Sequence, residues 1–215
     1  MSLPIPYGAV RRLVYALLLM AACAAPAAAK DVHVLALGDS LTAGYGLPPG
    51  QGFAPQLEAM LRRHGVRAFV TDAGVSGNTA AQGRARLQWT LDGLEAKPDL
   101  AILALGANDM LRGLAPARTR ADLEAIVAEL KRRKIPVLIA GMLAAPNLGP
   151  RYGSDYNRIF PDLARKYGAA LYPFFLAGVA GNPALALPDR VHPNFQGIKG
   201  MVSGITPAVL KALGR

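Results

Sequence analysis

Short apolar runs alternate with longer amphipathic ones along most of this chain. Residues 32–37 form the first run, which stops at Gly38. A stretch of that length bounded by a turn signal reads as a buried strand. Residues 67–71, 100–105, 136–140 and 169–172 read the same way, the fourth with Pro136 at its first position, where no ladder donor is lost. Between these runs, apolar residues recur at helical spacing. Residues 51–64 place Phe53, Leu57, Met60 and Leu61 on one face and end at Gly65. Residues 79–94 do so with Leu87, Leu91 and Leu94, and residues 120–133 with Leu123, Ile126, Val127 and Leu130. Residues 155–167 and 195–213 complete the set, the last interrupted by Pro207. Strand and helix alternating in this way, with strands apolar throughout, predict a parallel sheet covered on both faces. Residues 30–215 therefore read as one doubly wound α/β domain. Right-handed crossovers put every strand's carboxyl end on the same edge.

Residues 1–29 do not belong to that pattern. Arg11 and Arg12 precede a nearly unbroken apolar run over 13–25, and Pro26-Ala27-Ala28-Ala29 follows before Lys30. Positive start, apolar middle and small-residue end are the parts of a secretory signal peptide. The run is shorter than the roughly 20 residues of a membrane span. Cleavage near Ala29 is expected, which sends the domain to the periplasm or outside the cell. Two alternatives stand beside it: a retained anchor, and lipid attachment at Cys23, although Met20 stands where bacterial lipoproteins usually carry leucine. Cys23 is the only cysteine. Without it the chain holds neither a disulfide nor a thiol, which suits an oxidising compartment.

Charge changes this picture little. The formal net charge of +10 falls to +8 once Arg11 and Arg12 leave. A basic surface can favour lipid headgroups or acidic substrates, so contact with a membrane surface is a possible partner reading. The cations are nonetheless spread over Arg62, Arg63, Arg84, Arg86, Arg112, Arg118 and Arg120, as solubility alone requires. The one run, Lys131-Arg132-Arg133-Lys134, ends a predicted helix, where cations suit the dipole. No aromatic interleaving suggests a nucleic-acid partner.

The candidate chemistry lies just past the strands. Ser40 follows the first, in Gly38-Asp39-Ser40-Leu41-Thr42-Ala43-Gly44. Gly77 lies in the segment after the second, and Gly106-Ala107-Asn108-Asp109 follows the third. In a parallel sheet these three meet on the edge where ligands bind. A serine hydroxyl needs a base to act as a nucleophile. Of the three histidines, His33 falls at the wrong end of its strand and His64 ends a helix. His192 is free to turn toward Ser40, and Asp189, three residues earlier, can hold its imidazole. Acyl transfer also needs donors for a developing oxyanion: the N–H groups of Ser40 and Gly77 and the side-chain amide of Asn108 are the candidates. Each also has a plainer reading. Gly-Asp-Ser is a common turn and cap, Asp189 to Pro193 can be a surface turn, and Asn108 can close an Asx turn.

These same residues carry a resemblance. Gly38-Asp39-Ser40-Leu41, Gly77, Gly106-Ala107-Asn108-Asp109 and Asp189-x-x-His192-Pro193 stand in the order of the four sequence blocks of the SGNH (GDSL) hydrolases. The longer phrases over 38–47 and 105–113, with Tyr172-Pro173-Phe174-Phe175, resemble the bacterial periplasmic thioesterase, arylesterase and lysophospholipase branch of that family. Ala107 departs from it, standing where glycine is frequent. The resemblance covers residues 31–215. It implies a three-layer α/β/α flavodoxin-like sandwich with a five-stranded parallel sheet. It implies Ser40 as nucleophile, His192 as base, Asp189 as its orienting acid, and Ser40, Gly77 and Asn108 around the oxyanion. It also implies acyl ester, aryl ester, thioester or lysophospholipid substrates.

Several other chemistries do not fit. Gly74-Val75-Ser76-Gly77 fails the Gly-x-Ser-x-Gly elbow because residue 78 is asparagine. Neither a dinucleotide-binding glycine pattern nor a Walker A run occurs. With scattered histidines and no cysteine after residue 29, no metal or cofactor is expected. Met110, Leu111, Met142, Phe174 and Phe175 are candidates for an acyl groove, the alternative being that Met142, Phe174 and Phe175 belong to the core. Two rival functions remain: a carbohydrate O-acetylesterase, which the apolar Met110 and Leu111 disfavour, and a non-catalytic envelope binding protein on the same fold.

Overall fold

The structure, a computed structural model, describes residues 30–215, so the predicted leader with Cys23 lies outside the described residues. Five parallel strands form one sheet in the order β2-β1-β3-β4-β5: β1 Val32–Gly38, β2 Ala68–Gly74, β3 Leu100–Ala104, β4 Val137–Ala140 and β5 Ala170–Tyr172. All five were predicted. The continuously apolar runs became the inner strands β1, β3 and β4, buried along almost their whole length. Helices lie on both sides of them, so neither face can be polar.

The helices are α1 Ser40–Ala43, α2 Phe53–Arg63, α3 Ala80–Asp92, α4 Ala107–Leu111, α5 Pro116–Arg132, α6 Pro150–Asn157, α7 Ile159–Tyr167 and α8 Phe195–Ala212. α2 packs against α8, while α3, α5 and α7 pack in a row. The two groups cover opposite faces of the sheet. Phe53 and Leu57 of α2 are fully buried, and the Phe53 ring meets Phe175 edge-on at 4.9 Å. Side chains buried to this degree contribute about 1.5–3 kcal/mol each.

Four local differences from the predicted elements have physical causes. β2 runs three residues further than its apolar stretch because Asp72, Ala73 and Gly74 pair in register with Ala36, Leu37 and Gly38. Residues 155–167 are two helices instead of one. Pro161 has no N–H for the carbonyl of Asn157 and its ring clashes there, and the break falls at Arg158. α5 starts four residues early, with Pro116 at its first position, where a missing N–H costs nothing. α1 and α4 are too short for any periodicity to reveal. α8, by contrast, continues through Pro207 as predicted.

β2 is an edge strand, and α2 covers its free backbone groups. Glu58 accepts the N–H of Val70 at 2.9 Å, and Arg62 donates to the carbonyl of Ala68 at 3.1 Å. The two side chains also pair at 2.8 Å. Their occupation of the edge blocks addition of a further strand. One strand in from that edge, the strand order reverses between β1 and β3, and ligands of open α/β sheets bind in the crevice at the carboxyl ends of the strands at such a point.

Candidate active site

The crevice begins where β1 ends. Asp39 caps α1 by accepting the N–H of Leu41 at 3.0 Å, and Gly44 closes that single turn in the left-handed conformation, its N–H on the carbonyl of Ser40. Ser40 is thereby fixed at the first position of α1. The turn lies unusually close to the sheet. A Cβ on Gly74 would sit 2.4 Å from the Ala43 nitrogen, and one on Gly38 would sit 1.9 Å from the Thr42 hydroxyl oxygen and 2.9 Å from the Ala104 carbonyl. Neither glycine has positive φ, so space rather than backbone freedom requires them.

Ser40 Oγ lies 2.9 Å from His192 Nε2, and His192 Nδ1 lies 2.7 Å from Asp189 Oδ2. The other Asp189 oxygen accepts the N–H groups of Val191 at 2.9 Å and His192 at 3.0 Å. These bonds, the backbone one from His192 foremost, hold the Asp189 carboxyl down at about 2. The carboxylate is therefore charged at neutral pH. It fixes the imidazole with its proton on Nδ1 and leaves Nε2 to accept from the serine hydroxyl. The loop that carries both residues is a small closed hairpin. Leu187 N–H donates to His192 O at 2.7 Å, Ala186 bridges Pro193, and Arg190 takes a left-handed φ of 58° at the tip. Asn194 then caps α8 by accepting the Gly197 N–H and donates to the carbonyls of Ala184 and Ala186. Tyr45 lies on the imidazole, ring centres 4.5 Å apart.

Asn108, in the first turn of α4, reaches across the crevice. Its Nδ2 donates to Asn78 O at 3.1 Å and to Asp39 Oδ2 at 3.3 Å. Asp39 is 1% exposed. Burial pushes its carboxyl up to about 6, against the lowering effects of the Leu41 N–H, the His192 charge and the Asn108 amide. Gly77, next to Asn78, has φ 81°, and its carbonyl accepts from Arg112 at 2.8 Å. Among the described residues no protein acceptor takes the N–H of Ser40 or of Gly77. All five residues predicted for the chemistry thus sit in or beside one crevice, while His33 stacks on Phe69 and His64 caps the end of α2.

The groove candidates divide. Met110, Met142 and Phe175 are buried in the core, Phe174 is partly buried, and Leu111 is exposed. Their burial favours the core reading for Met142 and Phe175 and adds Met110 to it. Leu143, next to Met142 in the segment after β4 and equally apolar, is exposed.

Three supporting residues escaped the sequence reading. Arg86 of α3 donates to the carbonyls of Gly38 at 2.9 Å and Ala73 at 2.8 Å and to Asn78 Oδ1 at 2.8 Å. One guanidinium so ties the ends of β1 and β2 to the loop holding Gly77. Asp109, 1% exposed, accepts the Ala80 N–H that opens α3 and the Thr119 hydroxyl of α5. Burial raises its carboxyl above the usual range. Tyr156 donates to the Gly106 carbonyl at 2.7 Å, and burial raises its phenol well above the ordinary value. No local signal marks Arg86 or Tyr156, and Asp109 stands in the Gly106-Ala107-Asn108-Asp109 block with nothing there to show what it holds.

A five-stranded α/β sheet with a serine, an imidazole and a carboxylate in line at its switch point has the side-chain set that serine hydrolysis uses. Residues 36–199 match the model of the GDSL-like lipase/acylhydrolase family, and the chain belongs to that family. It is 35% identical to Esterase TesA of Pseudomonas aeruginosa, over 82% of this chain and 87% of that one. It is 34% identical to thioesterase 1/protease 1/lysophospholipase L1 of Escherichia coli K12, over 78% of each. The crystal structure of AlinE4, an esterase of the SGNH-hydrolase family, superposes with a TM-score of 0.73 at 50% identity, covering 85% of this chain and 97% of that one.

Proposed function

We propose that this GDSL-family hydrolase cleaves carboxylic esters by a serine acyl-enzyme mechanism. The observation that carries the reading is the hydrogen-bonded line from Ser40 Oγ through His192 to Asp189, at 2.9 and 2.7 Å. Ser40 Oγ attacks the acyl carbonyl as its proton passes to His192 Nε2. Asp189 stabilises the imidazolium so formed. His192 then gives that proton to the departing alcohol or thiol, and the acyl group remains on Ser40. Water, deprotonated by the same imidazole, releases the acid and restores the serine. The N–H groups of Ser40 and Gly77 and the amide of Asn108 receive the oxyanion of each tetrahedral intermediate.

Substrates are acyl or aryl esters, with acyl thioesters and lysophospholipids in the same class, in keeping with the esterase, thioesterase and lysophospholipase names of these relatives and with that of an arylesterase of Vibrio mimicus to which the chain is 35% identical. Leu111 and Leu143 offer apolar surface near the crevice. Residues 1–29 act as a cleaved leader, so that mature protein recovered from the periplasm or medium begins near Lys30, which intact mass measures.

A fluorophosphonate probe should label the protein at Ser40 alone. Ser40→Ala and His192→Ala should abolish both labelling and most turnover of p-nitrophenyl esters while circular dichroism stays unchanged. Near wild-type turnover in either variant removes the mechanism. A chain-length series of the same esters addresses the acyl group, and no preference above butyrate would argue against a long-acyl groove.

A further inference from the structure

We propose that Asp39 is a positioning residue that fixes the orientation of the Asn108 amide toward the reaction centre. The proposal rests on the reading of Asn108 as an oxyanion donor and adds the reason its nitrogen, and not its oxygen, faces the crevice. Asn108 Nδ2 lies within hydrogen-bond distance of two atoms, Asp39 Oδ2 at 3.3 Å and Asn78 O at 3.1 Å. A carboxylate and a carbonyl can only accept. Together they exclude the flipped amide, whose oxygen would face two other oxygens. Holding one proton on Asp39 leaves the second, which rests on Asn78 O, to be shared with a substrate oxygen.

Asp39 is itself fixed. Its other oxygen accepts the N–H of Leu41 as the cap of α1, and the side chain is 1% exposed. The charged and titratable groups that face it are His192 from the triad hairpin, Asp109 from α4 and Tyr156 from α6. None of these supplies a competing hydrogen bond to its two oxygens. One carboxylate therefore links the backbone that carries Ser40 to the side chain that carries the oxyanion donor.

The link makes Asp39→Asn informative. The new side chain has the same shape, and asparagine is an equally good cap. If its oxygen keeps the Leu41 N–H, its NH2 meets the NH2 of Asn108, donor against donor. Turning Asn108 relieves that contact but sets its oxygen against Asn78 O. Either way Asn108 loses its orientation while α1 keeps its cap.

The experiment compares Asp39→Asn, Asn108→Ala and the double variant, measuring kcat and KM on p-nitrophenyl butyrate and thermal midpoint. Asn108→Ala alone tests the underlying reading, with an expected kcat loss of about 10²–10³-fold. Asp39→Asn should then lower kcat about 10²-fold with KM within about threefold and an unchanged or higher midpoint. The double variant should be no slower than Asn108→Ala alone, because both changes act through one amide. Multiplicative losses, or wild-type kcat in Asp39→Asn while Asn108→Ala is impaired, overturn the proposal and leave the reading of Asn108 intact. Should Asp39→Asn not fold, Asp39→Ser, which retains a cap acceptor and lacks the second oxygen, takes its place. Wild-type kcat in that variant, or additivity with Asn108→Ala, overturns the proposal equally.

Discussion

Gly74→Ala isolates the contribution of backbone packing to the geometry around Ser40. Gly74 ends β2 opposite Gly38, and its φ is one that alanine adopts without strain. The substitution therefore acts through volume alone. Its Cβ would stand 2.4 Å from the Ala43 nitrogen, 2.8 Å from the Ala43 Cα and 2.9 Å from the Asp39 carbonyl. All three are backbone atoms of the turn that holds Ser40, so no side chain can swing aside. Ordinary contact begins near 3.4 Å, and α1 must move by roughly 1 Å to reach it. Overpacking of this kind costs about 1–3 kcal/mol, a fall of about 3–10 °C in thermal midpoint for a domain of this size. The same movement stretches the 2.9 Å contact between Ser40 and His192 past the ~3.5 Å limit of a hydrogen bond. Misplacement by 1 Å can lower kcat about 10²-fold. Turnover of p-nitrophenyl butyrate and a thermal melt measure the two effects. Gly50→Ala is the control. Gly50 has φ 82° and open space around it, so alanine there costs about 1–2 kcal/mol in backbone strain with kcat unchanged. Wild-type kcat in Gly74→Ala, or an equal kcat loss in Gly50→Ala, refutes the argument.

Asp189→Asn should lower kcat about 10³–10⁴-fold, the scale known for the equivalent change in a serine protease, because the amide favours the wrong imidazole tautomer; a loss under tenfold would mean that the bond to His192 Nδ1 is not used. Asp39 should make the folded protein less stable as pH rises. Its carboxyl titrates at about 6 when folded and near 3.8 when unfolded, so between those values the folded state holds the extra proton and stability declines, by on the order of 3 kcal/mol in full. The midpoint difference between Asp39→Asn and wild type should accordingly be positive at pH 8 and shrink toward pH 4, and a difference independent of pH contradicts the assignment. Glu58→Ala should cost about 1–2 kcal/mol in urea unfolding by uncovering the Val70 N–H and should raise light scattering on storage, since an open strand edge invites pairing; unaltered stability and scattering would show the edge is protected by other means.

How much of this was legible in the sequence depended on burial. β1, β3 and β4 were plain because both faces are covered and every position must be apolar. The end of β2 was hidden because an edge strand admits Asp72, and its pairing with Leu37 and Gly38 is a contact between distant residues. The break at Arg158 did have a signal: Pro161 stands inside the segment taken as one helix. α1 and α4 are single turns, too short to show a period; α1 left only the cap signal of Asp39, and α4 has no side-chain cap at all. In the groove, Met110 and Phe175 look alike as core and as lining, because apolar residue type says nothing about which side of a wall it faces.

The site divides along a different line. Ser40, Asp189 and His192 could be picked out although 152 positions separate the first from the last, because activating a hydroxyl needs a base and an acceptor of particular types, and the topology says which loops meet. Their supports bond mainly to the main chain. Arg86 grips two carbonyls, Arg112 grips that of Gly77, Tyr156 grips that of Gly106, and Asp39 holds the N–H of Leu41. Nearly every residue offers the same main-chain partners, so such bonds leave no pattern on the side of the acceptor. The donor alone is visible, as one more arginine or tyrosine among those on the surface. Sequence therefore exposes the groups that would touch substrate and conceals those that place them. Asp39 falls between the two classes. It was visible as part of the motif, yet its second partner, the amide of Asn108, comes from a strand crossover away. Only the folded arrangement shows that this cap also reaches the Asn108 amide.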